Sequence, residues 1–433
     1  MIRLPETFLN RVQAQLGEEF PAFLRAMAEN PCRGIRFNPL KPEGTTVYPH
    51  PPEPVPWEKN SWYIQERDAP GATAWHEAGA FYIQDPSAMI PACVLDPKPG
   101  ENILDLCAAP GGKATQIGAA MRGEGILICN EPVTKRAQVL SRNLERIGIT
   151  NAVAVSAMPK TLAEKWPEAF DAVLADVPCS GEGMFRRNPA AADEWSEEQA
   201  AGCAERQREI LQEAARMVRP GGRMVYSTCT FNPAENEENI TWFLREHPEW
   251  KAGCFRLPGI DGRDGMFTCW PHKTRGEGQF TALLHREGNG RGGIPSGMTG
   301  TAAGKAEREM VQRILPGMPE ATHILGNTLV YMPACPDLKG IRVFRLGMHL
   351  AEIRGKHPVP DHAAAYCAAA QMQRTELSPE YALRYLAGEE VPGAETGWTV
   401  VCCQGMPMGW GKGCGGMIRN HYPKGLRNGR LTI

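Results

Sequence analysis

The sequence predicts an α/β fold, a doubly wound parallel sheet with a smaller unit at each end. Between residues 101 and 286, short apolar runs alternate with stretches of helical periodicity, the pattern of strand–helix–strand units. Residues 287–305 are rich in Gly, Ser and Thr, a composition typical of linkers. We therefore divide the chain into an N-terminal helical cap (1–78), a central domain (79–286), a flexible linker (287–306) and a C-terminal α+β region (307–433).

Composition excludes several classes of protein. The 433 residues carry a formal net charge of −2, which argues against a uniformly basic nucleic-acid-binding surface. No apolar run reaches the roughly 20 residues that span a bilayer, and the first residues lack an apolar signal segment, so we expect a cytoplasmic protein. The 14 cysteines include no CxxC pair, so we expect reduced thiols and no metal site.

The N-terminal cap begins with two predicted helices within residues 1–30. Phe8, Leu9, Val12 and Leu16 follow helical spacing, and Pro21 opens the second helix. A short basic and apolar run follows at residues 32–38. Five prolines in residues 49–57 then predict an extended connection.

The central domain contains six apolar runs that we interpret as strands. Between the fourth and fifth lies a long amphipathic helix with Ile210, Leu211, Ala214, Met217 and Val218 on one side, which we expect to end at Pro220-Gly221-Gly222. The predicted strands are residues 102–107, 126–129, 152–155, 172–175, 224–227 and 280–284.

The C-terminal region has its own pattern of short strands at residues 328–332, 341–345 and 398–402, with a helix near 378–387. Residues 405–433 contain no acidic residue, and Trp410 and Tyr422 lie among the basic ones. This composition suits RNA backbone contact and base stacking, with a solvated face of a small β module as the alternative. The basic residues are Lys412, Arg419, Lys424, Arg427 and Arg430.

A glycine-rich turn follows the first strand of the central domain. In open α/β sheets, ligands sit beyond the carboxyl ends of the strands, and the next helix offers free N–H groups to an anion. The segment matches neither GxGxxG nor the P-loop, which favours a nucleotide-like cofactor with a carboxylate over a triphosphate. A purely structural turn is the alternative. The segment reads Asp105-Leu106-Cys107-Ala108-Ala109-Pro110-Gly111-Gly112-Lys113.

The carboxylate Glu131 follows the second strand. An acid at this place commonly accepts hydrogen bonds from ribose hydroxyls. Arg136 lies about one helical turn further on, where it can pair with Glu131. An ordinary surface ion pair is the alternative.

Two cysteines follow the fourth and fifth strands, in Asp176-Val177-Pro178-Cys179 and Ser227-Thr228-Cys229. Consecutive strands are often neighbours, so we expect Asp176, Cys179 and Cys229 in one crevice. Asn232-Pro233 predicts a helix start after Cys229 that would favour a thiolate, although Glu235, Glu237 and Glu238 oppose it. Two small packing residues at strand ends are the alternative.

These motifs together resemble the Sun-domain family of RNA cytosine-5 methyltransferases. The likeness covers residues 80–286 and includes Gln84-Asp85-Pro86-Ser87 besides the motifs above. The two ends resemble the bacterial branch that methylates 16S ribosomal RNA and carries a C-terminal PUA-like RNA-binding module. The end segments are Leu4-Pro5-Glu6, Gly409-Trp410-Gly411-Lys412 and Tyr422-Pro423-Lys424-Gly425-Leu426-Arg427.

The resemblance implies a seven-stranded, Rossmann-like methyltransferase core, S-adenosylmethionine as the cofactor and RNA as the partner. It implies that Cys107–Lys113 cradle the methionine part of the cofactor, that Glu131 takes the ribose and that Asp176 lies beside the methyl group and the base. It makes Cys229 the nucleophile and Cys179 the cysteine that helps to release the product.

Many relatives also place an aspartate after the third strand to hold the adenine amino group. Here the stretch is Ser156-Ala157-Met158-Pro159, which has no carboxylate. Adenine binding must then rest on backbone groups or packing.

Two cysteines suit this chemistry because C5 of cytosine is a weak nucleophile. A thiolate added to C6 moves electron density onto C5, which then attacks the sulfonium methyl group. Protonated Asp176 is a candidate donor to the charge that develops. Loss of the C5 proton then expels the enzyme sulfur, and Cys179 is a candidate base or relay.

Three alternatives stay open on the sequence alone. They are an adenine amino-group methyltransferase, a tRNA substrate, and a catalytically idle RNA-binding ribosome-assembly factor. The first would carry an aromatic residue after Asp/Asn-Pro-Pro, whereas Cys179 follows Pro178 here; the three residues Asp176, Cys179 and Cys229 together disfavour the idle factor. We expect a monomer that acts on 16S ribosomal RNA or the small ribosomal subunit.

Overall fold

The computed structural model describes residues 3–48, 51, 53–65, 67–297, 299–355, 357–367 and 372–433. Residues 49, 50 and 52 of the predicted proline-rich connection and residue 298 of the predicted linker lie outside these ranges. The described strands form five sheets, of which the largest has nine strands. Searched over the described ranges, the helices include none long and apolar enough to cross a membrane.

The N-terminal region begins with the two predicted helices and continues into a three-stranded antiparallel sheet of order β2-β1-β3. Phe37 of β1 lies opposite Phe81 of β3, so the predicted boundary at residue 78 falls inside this unit. The elements are α1 (Glu6–Leu16), α2 (Phe20–Met27), β1 (Arg33–Phe37), α3 (Gly44–Val47), β2 (Ser61–Ile64), α4 (Ala74–Glu77), β3 (Phe81–Gln84) and α5 (Ile90–Leu95).

The central domain supplies most of the nine-stranded sheet, and all six predicted strands are present. The elements are β4 (Asn102–Asp105), α6 (Gly112–Met121), β5 (Ile126–Asn130), α7 (Thr134–Ile147), β6 (Ala152–Ser156), α8 (Pro159–Lys165), β7 (Phe170–Asp176), α9 (Pro189–Glu194), α10 (Glu197–Met217), β8 (Val218–Thr228), α11 (Glu237–Glu246), β9 (Trp250–Ala252), β10 (Phe255–Leu257), β11 (Ile260–Gly262), β12 (Met266–Cys269) and β13 (Gln279–Arg286).

The order of the central sheet is that of a doubly wound fold. Strands β6, β5, β4, β7 and β8 run parallel, and β13 adds antiparallel to β8 with β12 beyond it. These seven strands match the expected seven-stranded methyltransferase core, so the predicted α/β fold class is confirmed. Two further strands extend it, because β9 also pairs with β13 and a strand from the C-terminal region pairs with β6.

The C-terminal region contains the three strands and the helix expected from its sequence. Its elements are β14 (Thr301–Ala302), α12 (Lys305–Ile314), β15 (His323–Leu325), β16 (Thr328–Tyr331), β17 (Arg342–Leu346), β18 (Met348–Arg354), β19 (His357–Pro360), α13 (His362–Tyr366), β20 (Arg374–Leu377), α14 (Pro379–Ala387), β21 (Val391–Pro392), β22 (Gly397–Cys403), β23 (Met406–Cys414) and β24 (Met417–Asn420).

The C-terminal region is joined to the central sheet, although its composition suggested a separate unit. Strand β17 pairs antiparallel with β6, with Val343 opposite Val155, and thereby covers the open edge of the sheet. The linker is also anchored, since the Gly290 N–H donates to the Pro220 carbonyl (3.0 Å) and the Gly297 N–H to that of Cys335 (3.0 Å). The predicted domain boundaries themselves stay a prediction.

The N-terminal and C-terminal regions share one hydrophobic core. Trp75 and Phe81 are buried in the same cluster as Tyr385 and Met408. Backbone hydrogen bonds add to this contact, because the Ala74 N–H donates to the Thr432 carbonyl (2.7 Å) and the Thr432 N–H donates to the Ala72 carbonyl (2.9 Å). Burial on this scale fixes the two regions against each other.

Candidate active site

Four loops meet at one edge of the central sheet. Strands β4, β5, β7 and β8 are parallel and ordered β8-β7-β4-β5, so their carboxyl ends lie side by side. The register aligns Asp105 with Leu174 and Asp176 with Ser227. The loops after these strands therefore open into one crevice, as the sequence predicted.

Two adjoining cavities occupy this crevice. The first has a volume of about 600 Å³ and the second of about 460 Å³. The two share six lining residues, namely Cys107, Ala109, Arg136, Asp176, Val177 and Cys229. The first cavity is also lined by Glu131 and Cys179. The second is also lined by Ala108, Pro110, Gly112 and Lys113. All the predicted site residues thus line one of the two cavities, apart from Gly111, whose φ of +114° suits glycine and turns the chain into α6.

The thiols of Cys179 and Cys229 are in contact. Their sulfur atoms lie 3.1 Å apart, and the Cys229 N–H also donates to the Cys179 sulfur at 3.3 Å. Both residues are half-buried free cysteines. The hydrogen bond with Cys229 and burial raise the pKa of Cys179 well above its usual value, so Cys179 retains its proton at neutral pH.

The predicted helix start beside Cys229 is wrong. The Asn232 side-chain oxygen accepts a hydrogen bond from the Ala234 N–H (3.1 Å), which makes a turn, and helix α11 begins only at Glu237. The helix that follows Cys229 therefore begins eight residues after it, and not directly after the thiol. Asn-Pro pairs open turns as readily as helices, and the sequence does not distinguish them.

A buried carboxylate ties the two cysteine loops together. Glu235 accepts hydrogen bonds from the Ser180 N–H (2.9 Å), the Ser180 hydroxyl and the Gln207 amide (2.8 Å). Gln207 also donates to the carbonyl of Pro178, at 3.0 Å. Burial raises the pKa of Glu235. From the sequence, Glu235 was expected only to oppose a thiolate, and Gln207 was missed because that residue lies on the remote helix α10.

Asp176 accepts hydrogen bonds on both of its oxygens. The Lys113 ammonium donates to Oδ2 at 2.8 Å, and the Ser227 hydroxyl donates to Oδ1 at 2.6 Å. Both oxygens of Asp176 are therefore engaged as hydrogen-bond acceptors. Lys113 is therefore the cation placed beside Cys229, and the Coulomb attraction of Asp176 raises its pKa despite burial.

Glu131 is buried, with 2% of its surface exposed. It accepts a hydrogen bond from the Val133 N–H (2.9 Å) and pairs with Arg136 at 3.2 Å, and Arg136 also donates to the Ala109 carbonyl (2.9 Å). The pair therefore links the second strand's loop to the glycine-rich turn. It is more than the surface ion pair considered as an alternative.

Two exposed apolar side chains stand at the wall of the first cavity. Val133 is 52% exposed and Met158 is 63% exposed, although both are large and apolar. The backbone of Ala157 is held by Asn130, whose side chain bonds both its N–H (3.0 Å) and its carbonyl (3.1 Å). Apolar side chains left open in a cavity mark a surface that a ligand covers. They were missed because the sequence does not reveal exposure.

Asp105 lies beneath the glycine-rich turn. It is fully buried without a well-formed hydrogen bond. Burial, and then the nearby charge of Asp176, raise its pKa to about 8. Over the described part of the chain, no three His, Cys, Asp or Glu side chains come together as a metal site requires.

The expected stacking role of Trp410 and Tyr422 is wrong. Both are buried, with 1% and 2% of their surface exposed, and the Trp410 indole donates to the Asp361 carbonyl at 2.7 Å. The half-buried Trp398 lies closer to the surface, with the Lys412 ammonium 5.5 Å from its ring centre. Side chains alternate between the two faces of β23, so Trp410 and the exposed Lys412 lie on the same face. The sequence alone therefore did not show that Trp410 is buried.

Family models match three successive parts of the chain. Residues 4–86 match the N-terminal domain of 16S rRNA methyltransferase RsmF, residues 92–285 match 16S rRNA methyltransferase RsmB/F, and residues 373–428 match the methyltransferase RsmF PUA domain. Ribosomal RNA small subunit methyltransferase F of Klebsiella pneumoniae is 33% identical over 99% of this chain and 98% of its own length. The chain belongs to the RsmF family of 16S rRNA methyltransferases.

Membership in the RsmF family confirms the predicted RNA cytosine-5 methyltransferase class and its PUA-like module. The Escherichia coli K12 methyltransferase F is 31% identical over 99% of this chain and 98% of its own. Among solved structures, a methyltransferase homologue from Pyrococcus horikoshii is 25% identical with a TM-score of 0.55, and it covers 65% of this chain and 100% of its own. NSun6 from the same organism, at 20% identity and a TM-score of 0.55, covers 66% of this chain and 99% of its own and shares the fold.

Proposed function

We propose that this chain transfers a methyl group from S-adenosylmethionine to C5 of a cytosine in 16S ribosomal RNA, through a covalent bond between Cys229 and C6. The observation that carries the proposal is the contact of Cys179 with Cys229 beside the Lys113–Asp176 pair. One thiol is available to add to the ring, and the other is within reach of the proton that must leave.

The residues of the first cavity fit S-adenosylmethionine. Glu131 is a buried acceptor for the ribose hydroxyls, and the exposed side chains of Val133 and Met158 offer apolar surface to the adenine. The N-terminus of α6, at Gly112 in the adjoining second cavity, suits the carboxylate of the methionine part. When bound, the cofactor supplies a methyl group on a positively charged sulfur.

Cys229 and Lys113 act together on the base. Cys229 gives up its thiol proton to water, and the resulting thiolate bonds to C6. Electron density then moves through the ring toward C5 and the ring carbonyl and nitrogen. The Lys113 ammonium, held at 2.8 Å by Asp176, lies where it can stabilise this negative charge. Asp176 keeps that ammonium in place and offers its remaining acceptor capacity to the amino group of cytosine.

Cys179 completes the reaction. Cys179 first gives up its own proton to water. Once C5 carries the methyl group, the C5 proton passes to the resulting Cys179 thiolate, directly or through water. The electron pair of the C5–H bond reforms the C5–C6 double bond, and the C6–S bond breaks to release Cys229. A thiolate whose pKa is raised is a strong proton acceptor, which suits Cys179 to this step.

The curated relatives, matched over 97–98% of their length, are named ribosomal RNA small subunit methyltransferases, and this favours ribosomal RNA over tRNA. We assign the exposed basic residues of the C-terminal region, including Lys412 and Arg419, to RNA backbone contact. We place the activity in the cytoplasm, in a monomer that acts on 16S RNA or the small subunit. The assembled cysteine pair disfavours a catalytically idle assembly factor.

The test is methyl transfer to unmodified 16S RNA and to small subunits, followed by bisulfite mapping. We expect the unaltered chain to modify cytosine, and we expect Cys229→Ala to lose transfer while it still binds the cofactor. Cys254→Ala, an exposed cysteine outside both cavities, is the matched control. Retention of more than half the activity by Cys229→Ala would overturn the proposal.

A further inference from the structure

The side chain of Gln279 is buried in the wall of the second cavity without a partner for its amide nitrogen. It is 2% exposed, and its Nε2 atom has no hydrogen bond to the described residues. The cavity that it lines is the one that also contains Lys113, Asp176 and Cys229. Buried amide groups are normally paired, so an unpaired one in a cavity wall indicates a place where a ligand can supply the partner.

The sheet register explains why Gln279 lies beside the nucleophile. Strand β13 runs antiparallel to β8, with Phe280 opposite Thr228 and Thr281 opposite Ser227. Ser227 donates to Asp176 in the site. Residues two apart on a strand share a face, so Gln279 lies on the same face of the sheet as Thr281 and its partner Ser227. Gln279 precedes Phe280 and Cys229 follows Thr228, so the two residues lie at the same end of the paired strands.

The backbone of Gln279 is held from both sides. It pairs with Cys269 of β12 on one side, while the next residue pairs with β8 on the other. Gln279 therefore contributes to the cavity wall from a rigid strand rather than from a loop. Such a position suits the recognition of one fixed group.

We propose that Gln279 is a specificity residue for the RNA substrate, whose amide N–H group donates a hydrogen bond to an oxygen of the target nucleotide. The inference rests on the proposed function, because that function puts a nucleotide beside Cys229. The oxygen belongs either to the base carbonyl or to the phosphate 5′ to the target, and in both cases the chemistry required is an acceptor. Glu131, Val133 and Met158, assigned to the ribose and adenine of the cofactor, line only the first cavity. The methionine part, assigned to Gly112, reaches the second cavity, so the KM values for RNA and for S-adenosylmethionine distinguish the nucleotide from the cofactor as the partner.

The test compares Gln279→Met with a matched control on the same strand. Methionine keeps the volume but removes the donor, so we expect KM for RNA to rise about tenfold while KM for S-adenosylmethionine stays within twofold. Because the change also removes an unpaired buried amide, the thermal midpoint should rise. Thr281→Val is the control, since Thr281 is 1% exposed with an unpaired hydroxyl but does not line the cavity. It should stabilise the protein and leave both KM values unchanged.

Gln279→Glu is the second variant, in case the first fails to fold. It keeps the shape and exchanges the donor for an acceptor, so KM for RNA should again rise about tenfold. An unchanged KM for RNA in both variants, or a raised KM for the cofactor, would overturn the inference. The function itself is judged separately, by whether the unaltered chain methylates RNA at all.

Two modified RNAs distinguish the source of the oxygen. Each is an oligonucleotide that contains the mapped cytosine. If the acceptor is the base carbonyl, 2-thiocytidine at the target abolishes the difference between the unaltered chain and Gln279→Met. If the acceptor is the phosphate, a methylphosphonate 5′ to the target does so. Persistence of the full difference with both RNAs would contradict the proposal.

Discussion

The sulfur atoms of Cys179 and Cys229 lie 3.1 Å apart although the residues are 50 positions apart in the chain. The parallel pairing of β7 with β8 brings the two loops together, and the buried Glu235 fixes the loop that carries Cys179. The distance is that of a hydrogen bond between two thiols, so a proton can pass between them.

The first prediction concerns Cys179. In Cys179→Ala, Cys229 still adds to the base, but no thiol takes the C5 proton, so the covalent RNA adduct should accumulate. Denaturing gel electrophoresis with labelled RNA should show a shifted band that is absent from the unaltered chain. Cys254→Ala should give none. Normal turnover without an adduct would remove Cys179 from product release.

The second prediction concerns Glu131. Glu131→Gln keeps the acceptor for the Val133 N–H but loses the charge that binds ribose hydroxyls. Charge-assisted hydrogen bonds contribute about 1.5–3 kcal/mol, so affinity for S-adenosylmethionine should fall at least about tenfold. Isothermal titration measures this directly. The exposed Glu124→Gln serves as the control, and an equal loss in both variants would contradict the ribose assignment.

The third prediction is a pH dependence of stability from Asp105. Burial raises its pKa to about 8 in the folded protein, whereas an unfolded aspartate titrates near 4. Between these values the folded state holds a proton that the unfolded state has lost. A rise in pH from 4 to 8 therefore favours unfolding, by up to about 1.4 kcal/mol per pH unit.

Asp105→Asn carries no such proton and should flatten the decline. Urea unfolding at pH 5, 6, 7 and 8 measures the free energy of unfolding of both proteins. Relative to the unaltered chain, the variant should become more stable as the pH rises. The exposed Asp96→Asn should leave the slope unchanged. Parallel curves for Asp105→Asn and the unaltered chain would show that Asp105 is ionised in the folded state.

The fourth prediction concerns RNA contact by the C-terminal region. Lys412→Ala combined with Arg419→Ala should weaken RNA binding and reduce the slope of log affinity against log salt by about 2, roughly one for each lost phosphate contact. Filter binding at several salt concentrations measures this. Lys251→Ala, an exposed lysine on the central sheet, is the control. Deletion of residues 373–433 is a poorer test, because it would expose Trp75 and Phe81 and so disturb the N-terminal region.

The parts of the site that follow strands were predictable, and those that depend on packing were not. Cys179, Cys229 and Asp176 could be assigned to one crevice because β–α alternation fixes which strand ends face the same way. Glu131 could be placed for the same reason. The helix start at Asn232 failed because the competing turn has the same sequence signal.

Long-range contacts explain what the sequence could not show. Nothing local marks Gln207 as a partner of Glu235, or β17 as the strand that covers β6. The burial of Trp410 likewise depends on helix α13 packing against β23, through the carbonyl of Asp361. Side-chain exposure is a tertiary property, so an aromatic residue among basic ones does not by itself identify a stacking surface.

The core shared by the N-terminal and C-terminal regions has a consequence for how a target is chosen. Because Trp75 packs in one cluster with Tyr385, and Thr432 is hydrogen-bonded to both Ala72 and Ala74, the PUA domain cannot swing freely. RNA bound to the PUA domain would then be held at a fixed distance from the Cys229 sulfur. The choice of the target cytosine would then depend on the three-dimensional shape of the RNA between the PUA domain and the catalytic site. Bases far from the target in the RNA sequence would contribute to that choice as well as the bases that flank it.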